Sequence, residues 1–225
     1  MTGTAASRLA PRVSIVAVVV FVVTMGTSMA LYPGGSFCTR DANAHDFLRN
    51  FFCDLLHDVA LNGRPNGVGA VLAQVAMLVL CVGLLAAFWT LPRLVESRLA
   101  GMIVRVLGTL CVLGCVAVAL TPSNHHPTLH TIAVLSAALP GLSAMLVATL
   151  ALGASPATRA LAITAAGALV AGAIDAWLYA RQLTVPDDCG IALPALQKVA
   201  AAFFLVWIAW VGAHRLRELR AAATP

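Results

Sequence analysis

Charged side chains are scarce in this chain: they make up 10% of its 225 residues, while 60% are hydrophobic. Soluble domains carry about 25% charged residues, so the shortage excludes an ordinary soluble fold. The alternation of apolar and polar residues that a membrane barrel strand needs is also missing, which leaves helices as the way to satisfy backbone groups in lipid. No Walker loop, nucleophile elbow or HExxH motif occurs, and with them go the enzyme classes those motifs mark. The net charge of +5 does not call for nucleic acid, because a bilayer protein uses cytoplasmic Arg for its orientation.

Long apolar sequence is what the chain has in quantity. A helix needs about 20 such residues to cross a hydrocarbon core of about 30 Å. Stretches of that size run at about 13–31, 68–91, 102–120, 131–152, 160–179 and 194–213. The expected fold is all-α, a single integral domain over 1–225 with six transmembrane helices. A five-span alternative treats the first stretch as a secretory signal, with Arg8 and Arg12 before it and the small pair Ser28 and Ala30 suited to cleavage. Its run of about 19 residues exceeds the about 7–15 of a signal core, which favours a retained helix. In the fourth stretch Pro140 is expected to bend the helix or break its ladder. In the fifth, Ala168 and Gly172 form a small-xxx-small pair that permits close helix approach.

With the N-terminus in the cytoplasm, that side receives Arg8, Arg12, Arg93, Arg98, Arg105, Arg159, Arg215, Arg217 and Arg220. The other side receives Arg40, Arg49, Arg64, Arg181 and Lys198, together with Asp41, Asp46, Asp54, Asp58, Asp187 and Asp188. This excess of inner Arg follows the positive-inside bias, so both termini are expected in the cytoplasm. Cys38, Cys53 and Cys189 fall on the outer side, where disulfides persist. Three thiols allow one bridge and leave one over. Cys81, Cys111 and Cys115 fall inside spans as small apolar residues.

The first outer loop runs from about residue 32 to 67 and opens with the turn signal "YPGGS". It continues "AHDFLRNFFCDLLHDVALNG", whose spacing predicts an amphipathic helix at about 44–61. Phe47, Leu48, Phe51, Phe52, Leu55, Leu56 and Val59 share one face. Asp46, Arg49, Asn50, Cys53, Asp54, His57 and Asp58 share the other. Asn62-Gly63 is expected to stop it. The acidic polar face favours a cap over the bundle rather than a helix lying on lipid, where basic residues are usual.

Half of the histidines lie at or near this surface in one short segment, "SNHHPTLH", which holds His125, His126 and His130. Pro127 suits the first turn of the fourth helix. His126 and His130 are four apart, so they share a face if both are helical. With His57 as a third ligand they form a candidate zinc site, and Asp54 or Asp175 is the candidate base for a metal-bound water. Asp58, Asn62, Asn66, Asn124 and His125 complete the expected polar cluster. The plainer alternative has Ser123 or Asn124 capping the helix, with the histidines as wet interfacial residues. Asp175 lies about a turn before the outer end of its span, where a carboxylate can reach the interface, pair with Arg181, or serve a polar site.

"NFFCDLLHDVALNGRPN" and "TPSNHHPTLHTIAVLSAALPG" resemble an uncharacterised bacterial family, the domain of unknown function numbered nine hundred and ninety-eight, itself similar to the DRAM-type multi-span proteins. The resemblance covers about 47–152. It implies about six helices in a bacterial plasma membrane with a polar outer loop after the first, and it points to Asp54, Asn66 and His130. Cys53 stands where that family commonly has serine, which implies a Cys38–Cys189 disulfide with Cys53 left free. Asn124 stands where an acid is frequent. A fainter likeness, to membrane hydrolases such as alkaline ceramidases, implies a zinc enzyme in which His57, His126, His130 and Asp54 offer the chemistry. Those proteins have seven helices and a different order of histidines.

Three functions follow as expectations. The first is a non-enzymatic protein whose outer polar cluster organises lipid or a membrane partner, either another protein or a second copy of the chain. The second is a zinc-dependent hydrolase of a lipid or other amphiphile. The third is a transporter, for which the spans offer Asp175 as a charged residue but no pair of broken helices.

Overall fold

Each apolar run folds as a helix that extends beyond it at one or both ends. The computed structural model describes residues 5–185 and 189–223; Asp187 and Asp188, placed above on the outer side, lie outside the described residues. The helices are α1 (Ala5–Leu31), α2 (Gly67–Thr90), α3 (Arg98–Leu120), α4 (Pro127–Gly153), α5 (Arg159–Thr184) and α6 (Ala192–Ala221). All six are long and apolar enough to cross a membrane, which marks the chain as a multi-pass membrane bundle. Among the described residues the only strand-like feature is an isolated bridge between Val59 and Pro65.

Local chemistry sets the ends. Ser97 Oγ accepts the Ala100 N–H at 3.2 Å and starts α3. Pro127 opens α4, which then runs through Pro140 as a single helix. After α1 the chain reverses through Gly34 (φ 120°) and Gly35 (φ 82°), and a Cβ on Gly34 would lie 2.2 Å from the Ala42 carbonyl oxygen. Only glycine fits that turn.

Each helix packs against its neighbours in sequence, and α6 returns to α1 and α2, so the six close into a ring. α1 is a packed member of it. Ser28 Oγ donates to the Gly69 carbonyl at 2.8 Å, and a Cβ on Gly83 would meet Ala17 Cβ at 2.5 Å. At the end nearer the termini the ring is filled: Phe88, Leu91, Leu152, Leu161, Trp207, Ile208 and Val211 are all but fully buried, with the Phe88 and Trp207 rings 5.6 Å apart. Ala168 is buried, and a Cβ on Gly172 would touch the Leu142 side chain of α4 at 3.3 Å.

The opposite end is covered by the 32–66 loop, and here the expected helix at 44–61 does not form. The segment is a set of turns with one 3-10 turn at Cys53–Leu56. The cause is competition for backbone N–H groups, which short polar side chains take from the helix ladder. Asn50 Oδ1 accepts from Asp46 N, and Asp46 Oδ1 from Leu48 N and Arg49 N. Asp54 Oδ2 accepts from Phe51 N, and Gln197 Oε1, from α6, accepts from Phe52 N. The expected faces are partly inverted: Asn50, Asp54 and His57 are buried, while Phe47, Leu48 and Val59 are exposed. Leu55 and Leu56 do pack inward, against Phe21, Met25, Tyr32 and Ala73. The loop is therefore a cap, held to the rest by a Cys38–Cys189 disulfide with Cα atoms 5.6 Å apart. Cys53 is free. Gly63 (φ 81°) supplies the expected left-handed turn.

Candidate functional site

Between the filled end and the cap the ring lines an open-sided cavity of about 620 Å³. Its walls are apolar, from Leu80 and Leu84 on α2, Val118 on α3, Val134, Leu142 and Met145 on α4, Ala168 on α5, and Ala201 and Phe204 on α6. Polar residues gather at the capped end: Asp54, Ser123, His130, Asp175, Tyr179, Gln182 and Gln197. A volume of this size lies within the about 300–1,000 Å³ of small-molecule sites, which share the pattern of apolar walls with a few placed polar groups.

Asp54 reaches the cavity because the 3-10 turn points it inward. Its Oδ2 accepts from Asn50 Nδ2 and from Phe51 N, both at 2.9 Å, and Asn50 Nδ2 also donates to the Gly35 carbonyl. Burial raises the carboxyl above its ordinary pKa, against the lowering pull of these donors and of Lys198. Lys198, in the first turns of α6, is itself buried. Its ammonium donates to the Asn50 carbonyl and lies 5.7 and 5.4 Å from the ring centres of Phe47 and Phe52, within cation–π range. Gln197 and Lys198 together pin the cap to α6. They were not among the residues expected to form the site, although an ionisable residue inside a span is the signal that could have found Lys198.

His130 Nδ1 lies 2.7 Å from the Thr121 carbonyl. A carbonyl only accepts, so Nδ1 holds the hydrogen and neutral His130 keeps a lone pair on Nε2. His57 sits one residue behind the cavity wall, its Nε2 2.8 Å from Ser123 Oγ. Burial, then the neighbouring His130, lowers the His57 pKa to about 4, so the ring is neutral near pH 7. Asp175, in the last turns of α5, lines the cavity, and its buried Oδ1 accepts no hydrogen bond.

The structure thus brings Asp54, His130 and Asp175 to one cavity, with His57 joined through Ser123. The rest of the expected cluster lies elsewhere. Asp58 accepts from Asn124 Nδ2 at 2.8 Å and contacts His125 Nε2 at 2.9 Å on the exposed surface, and these bonds hold its pKa below the usual carboxylate range. Asn62 Nδ2 donates to the Pro33 and Ala42 carbonyls. Asn66 Nδ2 donates to the Leu55 and His57 carbonyls. Both organise the loop.

The expected zinc ligand set of His57, His126 and His130 is not assembled. Among the described residues no three His, Cys, Asp or Glu side chains come together to hold one metal ion. Pro127 begins α4, so His126 lies outside the helix at φ −134°, ψ 62°. Its ring is exposed, and the four-residue face relation with His130 does not apply. Without that centre, Asp54 and Asp175 have no metal-bound water to serve as base.

Ser123 and His57 have the contact of a nucleophile and its base, but His57 Nδ1 is buried without a partner. The carboxylate that would orient such a base in a triad is missing from it. No protein-family model, curated protein or solved structure matches this chain.

Proposed function

We propose that this multi-pass membrane protein binds a membrane amphiphile without turning it over. The apolar part lies in the cavity and the polar head lies under the cap. The observation that supports this reading is the distribution of the lining: apolar from α2 to α6, polar only where Asp54, Ser123, His130, Asp175 and Gln197 meet the cap. The orientation that goes with it has the cap outside and both termini in the cytoplasm of a bacterial plasma membrane. Support comes from the excess of Arg near the termini and from the Cys38–Cys189 disulfide on the capped face. Hydrolysis ranks second, on the Ser123–His57 contact alone.

The test is native mass spectrometry of protein released from its own membranes. Wild type is expected to retain a bound amphiphile. Ala138→Phe combined with Ala201→Phe, two wall positions, is expected to lose at least nine-tenths of it while keeping the wild-type melting temperature to within a few degrees. Equal retention by the filled variant would place the amphiphile outside the cavity and end the reading.

A further inference from the structure

We infer that the head of the bound amphiphile is a primary ammonium seated on Asp175. The inference rests on the reading of the cavity as an amphiphile site and adds the chemical class of the ligand.

The charged residues lining the cavity, among those described, are two acids, Asp54 and Asp175. They differ in how far their bonding is satisfied. Asp54 accepts two hydrogen bonds on one oxygen and has the Lys198 and Arg40 charges nearby, whereas Lys198 is the one charge that reaches both acids. Lys198 is committed in turn to the Asn50 carbonyl and to the faces of Phe47 and Phe52. Asp175 presents a buried oxygen that accepts nothing. A buried polar atom without a partner costs free energy that a ligand donor recovers.

The neighbouring polar groups agree with a donor-bearing head. His130 is fixed by the Thr121 carbonyl with its Nε2 as an acceptor. Gln197 spends its carbonyl oxygen on Phe52 N. Burial pushes Asp54 towards its neutral form while Lys198 and Arg40 act on it, so Asp175 is the carboxylate left without a hydrogen-bond donor at the head end, where it repels a carboxylate or phosphate and attracts a cation. A primary ammonium has three donors for Asp175 and His130 and a compact shape. Bonds between ionised partners are the strong kind.

The experiment compares tetradecylamine, tetradecanol and myristic acid, which share one chain length, by native mass spectrometry of delipidated protein at a fixed detergent concentration and pH 7. The amine is expected to bind at least tenfold more tightly than the other two. Asp175→Asn is expected to bring the amine down to the level of the alcohol and leave the alcohol unchanged. Equal binding of all three, or preference for the acid, overturns the ammonium assignment while the cavity reading stands, provided that Ala138→Phe with Ala201→Phe weakens every ligand. Loss of the preference in Asp54→Asn but not in Asp175→Asn overturns the choice of carboxylate. Binding of all three that survives the filled variant overturns the cavity reading itself.

Discussion

Burial holds His57 neutral, and the same burial makes the cap sensitive to acid. The pKa of His57 falls from its ordinary 6.5 to about 4, among His130, Asp58, His125 and Arg40. That of His45 also falls to about 4, through burial and the nearby Lys198, with Asp46 opposing. In the unfolded chain both rings take up protons near pH 6.5, so between about pH 6.5 and 4 the unfolded state binds more protons and folding stability falls as pH falls. Below about pH 4 the folded state protonates as well and the loss levels off. Each unit of lowering is worth about 1.4 kcal/mol, which limits the loss from His57 to about 3.5 kcal/mol. Asp54 works in the other direction. Its raised pKa means that the folded state holds a proton the unfolded state has released, so its contribution grows as pH falls towards the unfolded value. Thermal melts from pH 7 to pH 4 are therefore expected to drop, less steeply in His57→Gln and more steeply in Asp54→Asn. A His57→Gln profile parallel to wild type would contradict the burial argument. The candidate residues Asp54 and His130 were readable from composition and position. Pro127 as the first residue of α4, with His126 flanking it, was readable too; the exposure of the His126 ring was not, because it depends on how the turn before α4 packs against the cap.

At the level of elements, the spans and the cap follow different rules. A span is specified by apolar length, since lipid offers its backbone no partner but itself. The cap has no such constraint, and its backbone bonds go to whichever polar group is nearest: Asp46, Asn50 and Asp54 from within, Gln197 from 145 residues away. The periodicity of "AHDFLRNFFCDLLHDVALNG" was real but lost to these bonds. Its own hydrogen bonds hold the cap together, and Lys198 and the disulfide, whose ends are 151 residues apart, tie it to the bundle. Closing so long a loop contributes up to about 4–5 kcal/mol in the chain-entropy account, and less where the spans stay inserted when the cap opens. Cys38→Ser with Cys189→Ser is expected to raise the rate of proteolysis within 37–64 at least tenfold and leave the helical circular dichroism unchanged. A protease-resistant cap in that variant would show that the bridge contributes little.

The whole molecule is a ring filled at one end and hollow at the other. Trp207, Phe88 and Leu152 close the end nearer the termini. Small residues and the turn-rich cap leave room under the opposite face. An even number of spans puts both termini on one face, and the proposed orientation makes that face cytoplasmic. Alkaline phosphatase fused after residue 223 is expected to be inactive, whereas the same reporter placed within the 40–45 turn is expected to be active. The reverse pattern would invert the molecule in the bilayer and place the disulfide in a reducing compartment.

The sequence by itself determined the six helices, their order and the existence of a polar face. Those properties depend on the apolar length of each segment and on charges counted loop by loop, which need no knowledge of partners. Tertiary structure decided the conformation of the cap, the burial of Lys198, the exposure of the His126 ring and the cavity. Each of these depends on which distant group reaches a backbone N–H or a carboxylate first, and on how much space six packed helices fail to fill.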